Sequence, residues 1–347
     1  MKKLFLYLII ICFVAGGVFA MFLFSPTTKF TDKTSFFILD KPDKNAVVQT
    51  LLDNKIISHK QTFLLAANII GIWQNIKPGK YKVNKGENVL SIIKMLKNGK
   101  QAESKLIINK LRLKEDFAKL VAKNFSTDSV SVMNFLTSND SLQVYNVDTN
   151  TVFTMFIPDT YTFYWNTPLR KIMNKLNDAK NNFWNKNNRL NQAATIGFTP
   201  NEIYILASIV EEETNHNDDR AKIASVYINR LHKSMALQAC PTIKYAMKDF
   251  ALTRIYEKYL FNPSPYNTYR VKGLPPGPIC TPSPKCIDIV LNAPQTDYLF
   301  FVAKANFDGY HHFSSTYEEH NRYAKEYQKA LDAYTAKKKV SNNSVTP

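Results

Sequence analysis

The chain has 347 residues, 45% of them hydrophobic, with 45 Lys and Arg against 28 Asp and Glu for a formal net charge of +17. That length and apolar content suffice for a core, so stability does not have to come from cross-links. The charge suits a polyanionic partner such as nucleic acid, anionic lipid or an acidic wall polymer, but the lysines are dispersed, with no aromatic-interleaved RNA motif and no helix-turn-helix pattern.

Met1-Lys2-Lys3 precedes an uncharged run over residues 4–24, long enough to cross a bilayer as a helix. Lys2 and Lys3 stand before it and Lys29 and Lys33 after it, so the positive-inside rule orients the span only weakly. Val18-Phe19-Ala20 fits a signal-peptidase site, but apolar residues continue through Phe24, which favours an anchor over a cleaved leader. Either reading delivers the bulk of the chain outside the cytoplasm, which removes nucleic acid as a partner. Of the four cysteines, Cys12 falls in the apolar run and Cys240, Cys280 and Cys286 outside it. An odd number argues against a disulfide framework and leaves two readings: Cys240 paired with Cys280 or Cys286, or three thiols packed as small hydrophobes.

Residues 36–109 read as strand, helix, helix, strand, helix, strand. In Lys77-Pro78-Gly79-Lys80-Tyr81 a proline-glycine turn starts a strand, Asn84-Lys85-Gly86 turns the chain, and Asn88 caps a helix with Val89, Ile92, Ile93 and Leu96 apolar. Gly99 ends it. The segment holds no paired acids, histidine cluster or nucleophile motif, so it reads as a binding or spacing module. Residues 111–125 and 130–136 read as helices and 138–150 as a surface loop. Ile157-Pro158-Asp159-Thr160-Tyr161 then leads to Thr167-Pro168, an N-cap with proline at the first helical position, and a Lys/Asn-rich helix to about residue 185.

After a link over 186–198, Thr199-Pro200-Asn201-Glu202 supplies an N-cap, an N1 proline and the glutamate of a capping box, which predicts a helix over residues 200–214. At 3.6 residues per turn Glu213 stacks on Val210, Ile209 and Leu206, whereas Glu211 stacks on Ala207 and Ser208. Desolvation and the negative end of the helix dipole both raise the Glu213 pKa, which suits a general acid near neutral pH. Read alone, three successive glutamates also fit the solvated end of a helix. A second amphipathic helix follows, with Ile223, Val226, Ile228 and Leu231 apolar. Residues 256–284 are too proline-rich for regular helix. A short helix to Leu291, a strand over 298–303, a turn at Asp308-Gly309, a strand near His312-Phe313 and a helix over 317–336 complete the pattern, with 337–347 expected to be disordered.

Several blocks together resemble one family, the membrane-anchored endolytic murein transglycosylases of the YceG-like (MltG) type. They are Lys77-Pro78-Gly79-Lys80-Tyr81, Ile157-Pro158-Asp159-Thr160-Tyr161-Thr162-Phe163, the stretches 206–214 and 223–231, Leu237-Gln238 with Pro241-Thr242, Tyr266-Asn267-Thr268-Tyr269, Gly273-Leu274-Pro275-Pro276-Gly277, the strand 298–303 and His320-Asn321. The resemblance implies an α+β fold: a transmembrane helix at 1–24, a LysM-like α/β module at 25–110, a connecting helical region at 111–198, a lysozyme-like transglycosylase domain with added strands at 199–336 and a tail at 337–347. It implies cleavage of peptidoglycan glycan strands between N-acetylmuramic acid and N-acetylglucosamine, with Glu213 as catalytic acid and then base, Glu211 as the fallback acid, and a 1,6-anhydro product. Gln238, Thr242, Tyr266, Asn267 and Asn321 are its expected substrate-binding residues. Ala239-Cys240 stands where the commoner family pattern has a polar Thr-Asp pair, which removes those two positions from the substrate contacts. The implied place is the inner membrane, with the catalytic domain on the periplasmic side, and the implied partners are glycan polymerases or penicillin-binding proteins.

No cofactor is expected. Glu213-Thr214-Asn215-His216 has the Glu-x-x-His spacing of di-iron bundles, but a second such motif is missing and His311-His312 lies by a hairpin, so no metal is expected either. Two other readings are a non-catalytic wall-binding scaffold and a hydrolytic muramidase. The latter needs a second acid, for which Asp159 and Glu319 are the candidates.

Overall fold

The structure is a computed structural model that describes residues 2–40, 43–252 and 254–343. Its chain divides into two compact units. The first runs to Leu106 and takes in Ala122–Thr127 and Thr162–Pro168; the second holds Ile107–Val121, Asp128–Tyr161 and the described chain from Leu169 on. The region 111–198 is thus shared between the two units.

In the first unit α1 (Lys2–Phe24) is long and apolar enough to cross a membrane. It leads to β1 (Thr34–Leu39), α2 (Lys44–Asp53), α3 (Lys60–Ile70), β2 (Gly79–Asn84), α4 (Val89–Lys97) and β3 (Glu103–Ile108). Strands β1 and β2 pair antiparallel, from Thr34 opposite Asn84 to Leu39 opposite Gly79. Period-2 alternation buries Tyr81 and Val83 while Lys82 faces solvent. Tyr81 stacks on Phe37 and donates its hydroxyl to the Lys77 carbonyl at 2.7 Å. Asn88 caps α4 by accepting from the Ser91 amide at 2.9 Å, and Gly99 takes the left-handed conformation (φ +59°) just past its end.

The remaining elements are α5 (Lys114–Asn124), α6 (Ser129–Leu136), α7 (Asn139–Leu142), two 3₁₀ turns (Gln143–Tyr145 and Val152–Met155), β4 (Asp159–Tyr164), α8 (Leu169–Asn185), α9 (Arg189–Thr195), α10 (Pro200–Glu213), α11 (Asn217–His232), α12 (Cys240–Ala246), α13 (Glu257–Leu260), α14 (Pro284–Leu291), β5 (Phe300–Ala303), β6 (His311–Ser314) and α15 (Tyr317–Asn343). Strand β3 pairs with β4, and β5 pairs antiparallel with β6. The mixed helix-and-strand class is as expected. The expected loop at 138–150 contains α7, the link at 186–198 contains α9, and the proline-rich interval contains the single turn α13. Residues 337–343, expected to be disordered, continue α15, and the rest of that tail lies outside the described residues.

Helix α10 is the axis of the second unit. Its N-terminus carries the full capping box: the Thr199 hydroxyl accepts from the Glu202 amide while Glu202 accepts from the Thr199 amide. Every residue from Ile203 to Glu211 is buried, because α9, α11, α12 and α14 pack around the helix. The expectation of an apolar stripe beside a polar face is therefore corrected, since α10 is covered on all sides. Cys280 and Cys286 are free, buried thiols that donate to the Ser208 and Ala207 carbonyls of α10, as the small-hydrophobe reading expects, whereas Cys240 is free but exposed and departs from it.

The loop before Cys280 closes on the 148–151 turn so tightly that a Cβ at Gly277 would lie 2.1 Å from the Asn150 carbonyl oxygen. Backbone cannot yield as a side chain does, so Gly277→Ala is expected to cost about 1–3 kcal/mol, the usual range for overpacking. Urea unfolding of the two proteins in detergent measures it; equal midpoints would show that the loop gives way freely.

Candidate active site

Three consecutive glutamates end α10, and the second unit treats each differently. Glu211, 9% exposed, accepts from Arg220 Nη2 at 3.0 Å and from the Ser283 hydroxyl at 2.8 Å. Glu212 is gripped by the Arg112 fork, with Nε at 3.2 Å and Nη2 at 2.9 Å, and has Lys110 Nζ at 3.3 Å. Burial alone would raise its pKa, but the Arg112 hydrogen bonds with the charges of Lys110 and Arg112 outweigh burial and hold it below the ordinary value. Among the described residues Glu213 has only a phenol as hydrogen-bond partner: Tyr227 on α11 donates its hydroxyl to Oε1 at 2.5 Å.

Burial pushes the Glu213 pKa up from 4.5 to about 7; the Tyr227 bond and the charge of Lys244 act the other way, and Glu212 adds slightly to the rise. Tyr227 is itself fully buried, and burial followed by the Glu213 charge keeps its proton on well above the ordinary phenol range, so it remains a donor. The edge of its ring meets Phe301 of β5 at 5.8 Å. A second pair, Cys240 Sγ and the Tyr269 hydroxyl, lies 3.2 Å apart, both close enough for the Glu213 charge to act on them.

The expected substrate-binding residues fall into distinct settings. Gln238 is exposed and left-handed (φ +53°), its side-chain oxygen taking a 3.3 Å hydrogen bond from Arg230 Nη1. Arg230 also donates to the carbonyls of Ala236, Leu237 and Leu299, so one buried guanidinium fixes the loop that presents Gln238. Thr242 is fully buried and gives its hydroxyl to the Ala239 carbonyl at 2.6 Å, with Thr268 Oγ1 at 2.9 Å. Asn267 is equally buried: its amide donates to the Leu260 and Asn262 carbonyls, and its oxygen accepts from the Tyr269 amide at 3.0 Å. Both side chains thus bond to protein groups and brace the loop that carries Tyr269. Tyr266 packs on Tyr245 at 4.7 Å and lines a separate hollow. Asn321 stands on α15, which packs on β5 and β6.

Sequence reasoning missed Tyr227, Lys244 and Arg230 because helical periodicity orders residues within one helix and says nothing of the next. The one available signal was Tyr227 itself, a phenol on the otherwise aliphatic face of Ile223, Val226, Ile228 and Leu231. Among the described residues no group of three or more His, Cys, Asp or Glu side chains is placed to hold a metal ion. The His216 ring stacks on Tyr310 at 4.1 Å, and His311 Nδ1 lies 2.8 Å from Asp219.

These features define a chain of mixed helices and strands in which a buried helix delivers one carboxyl without a cationic ligand. A family model described as the YceG-like family matches residues 37–326, and the chain belongs to that family. A protein of Bacillus subtilis (strain 168) named endolytic murein transglycosylase is 43% identical over 129 residues, 36% of this chain and 34% of that protein. One of the same name from Streptococcus pneumoniae serotype 2 (strain D39) is 31% identical over 169 residues, 48% of this chain and 30% of that protein. The chain spans about a third of the length of these curated relatives. The crystal structure of a YceG-like protein from Listeria monocytogenes superimposes with a TM-score of 0.56 at 26% identity, over 84% of this chain and 99% of that one.

The Glu213 carboxyl makes stability depend on pH in a stated direction. Its pKa is 4.5 ordinarily and about 7 when folded, so the folded chain holds this proton more tightly. Its contribution is complete below pH 4.5 and is lost as pH rises through 7. Glu213→Gln, which cannot ionise, is therefore expected to gain on the wild type steadily between pH 4.5 and 7.5. Urea unfolding at a series of pH values tests this, and a difference that stays constant across the range rejects a destabilised carboxylate.

Proposed function

We propose that this chain is a membrane-anchored lytic transglycosylase that cuts peptidoglycan glycan strands between N-acetylmuramic acid and N-acetylglucosamine. Glu213 protonates the leaving glycosidic oxygen. As a carboxylate it then takes the proton from the muramyl C6 hydroxyl while that oxygen closes on C1, which gives a 1,6-anhydro end without water. The observation that carries this reading is the placement of Glu213 at the end of the buried helix α10 with the Tyr227 hydroxyl on its Oε1, where burial raises its pKa to about 7 and lets one group give and then take a proton at neutral pH. The names of the relatives from Bacillus and Streptococcus support the substrate.

A hydrolase would need a second carboxylate in reach. Glu211 and Glu212 are committed to cations, Asp159 begins β4 with its Oδ1 on the Thr160 amide, and Glu319 stands on α15 beside Arg322. These placements favour the transglycosylase over the muramidase. Against a non-catalytic scaffold stands the cost of keeping a half-buried acid with no cation in contact among the described residues. In this reading Gln238 and Tyr266 contact sugar, Asn321 does so from α15, and Thr242 and Asn267 hold the wall. Tyr227 acts through Glu213 as a positioning residue.

The N-terminal helix is the single-pass anchor in the inner membrane, residues 25–110 are a LysM-like wall-binding module, 111–198 connect it, and 199–336 form the lysozyme-like catalytic region on the periplasmic side. Glycan polymerases of the penicillin-binding type are the partners this placement suits.

Mass spectrometry of glycan products made by the full chain in detergent tests the reaction. Anhydro-muramyl ends are expected from the wild type and none from Glu213→Gln; reducing ends would establish a hydrolase, and wall binding without cleavage a scaffold. A second variant, Tyr227→Phe, removes a bond that lowers the Glu213 pKa. The limb of the pH–rate profile on which Glu213 must stay protonated is expected to move to higher pH, with kcat falling on the order of tenfold as orientation is lost. A fall in kcat with no movement of that limb would mean that Tyr227 serves packing only.

A further inference from the structure

Two hollows lie side by side in the second unit, with Tyr245 forming a wall of both. The smaller, about 180 Å³, is lined by Arg112, Glu212, Lys244 and Phe250; it adjoins the catalytic acid through Glu212, its chain neighbour, and Lys244, whose charge acts on it. The larger, about 350 Å³, is lined by Lys114, Thr149, Asn150, Tyr245 and Tyr266 among others. That volume falls in the range of ligand sites, roughly 300–1,000 Å³.

Of the charged side chains that line the two hollows, Arg112, Lys114, Lys244 and Lys248 are cations and Glu115 and Glu212 anions, so cations are in excess. Lys114 is half-buried, and burial lowers its pKa. The two carboxylates nearest to it electrostatically are committed elsewhere: Glu115 pairs with Lys248 at 3.7 Å, and Asp148 accepts from the amides of Asn150 and Thr151 and from the Thr151 hydroxyl. Among the described residues no carboxylate lies within ion-pair distance of Lys114 or of Lys244. A partly desolvated ammonium in contact with no carboxylate, on which Glu115 and Asp148 act only through their charges, gains further from an anionic ligand that reaches it directly. The side chains of Thr149 and Asn150 add hydrogen-bonding groups, and the tyrosines add apolar faces.

We propose that the larger hollow is a subsite for the acidic peptide stem of the glycan strand, with Lys114 receiving a stem carboxylate and Lys244 lining the approach from Glu213. This rests on the peptidoglycan reading above and names the part of the substrate that this hollow takes. A muramyl sugar whose lactyl group is amide-linked to its peptide has no ionised group of its own, so the carboxylates belong to the stem. The stem hangs from C3 of the same sugar whose C1 is released. Carboxylates therefore arrive beside Glu213 on a tether, near Lys244, whose charge acts on Glu213 and whose hollow shares Tyr245 with that of Lys114.

The test compares glycan strands carrying their peptides with the same strands stripped by an amidase, using the full chain in detergent. Wild type is expected to favour peptide-bearing strands by about tenfold in kcat/KM, the order expected of one charged hydrogen bond. Lys114→Gln is expected to bring that ratio near one mainly through KM, and Lys114→Arg to restore most of it, with thermal melts showing all three folded. A ratio that Lys114→Gln leaves unchanged, or a wild type with no preference, overturns the subsite. If wild type cleaves neither strand, the transglycosylase reading falls by itself. Co-sedimentation of each strand with the chain then decides the subsite: stronger retention of peptide-bearing strands that Lys114→Gln abolishes supports it, and equal retention overturns it.

Discussion

The second unit depends on how three cations are shared among three adjacent carboxylates. Helix α10 is buried on all sides, so acids at its end cannot all rely on water, and the helix dipole opposes negative charge there. Lys110, Arg112 and Arg220 answer two of them. Glu211 and Arg220 are both nearly sealed from solvent, and breaking such a pair by removing one partner typically costs about 3–5 kcal/mol, because the survivor stays charged and buried. Glu212 takes the Arg112 fork, which fixes geometry as well as charge. The two pairs tie α10 to the segment before α5 and to α11, and Ser283 adds the start of α14. With the arginines and Lys110 so committed, the third acid is left to a phenol.

That division was only partly legible in the sequence. The capping box at Thr199 and Glu202 announced α10 and its phase, because capping is local chemistry written in four residues. The strand, helix, helix, strand, helix, strand order of the first unit was legible for the same reason: turn glycines, an Asn cap and a period-2 run each act within a few residues. The face argument that singled out Glu213 was incomplete. It assumed one buried stripe, whereas burial runs all round the helix and Glu211 lies among the buried residues. What separates the three acids is the identity of distant partners: Arg112 is 100 residues before Glu212, and Tyr227 is 14 residues after Glu213. No periodicity spans those gaps.

The same limit governs the 266–269 segment. Tyr266 and Asn267 were noticed as a pair, yet the structure sends them different ways: Asn267 is consumed in bracing its own loop, and Tyr266 turns toward Tyr245. The loop's contribution near the acid is Tyr269, aimed by the hydrogen bond from its amide to the Asn267 oxygen. Two adjacent residues of similar polarity thus serve opposite purposes, because one lies where backbone carbonyls converge and the other where a hollow opens.

A hydroxyl partner suits a group that must cycle between protonation states. An arginine in hydrogen-bond contact would hold Glu213 as carboxylate, as Arg112 does for Glu212, and the proton would not be there to give. An entirely apolar pocket would hold the proton too tightly to release it to a leaving oxygen. Tyr227 lies between these limits. It donates to the carboxylate, and because burial keeps its own proton in place it does not compete as an acid. Lys244 acts on Glu213 through its charge, with no ion pair between them among the described residues, so it trims the rise from burial without cancelling it. The value near 7 is thus a balance between a buried site and two weak donors of positive potential. It persists only while the stronger cations remain bound to the two glutamates before it.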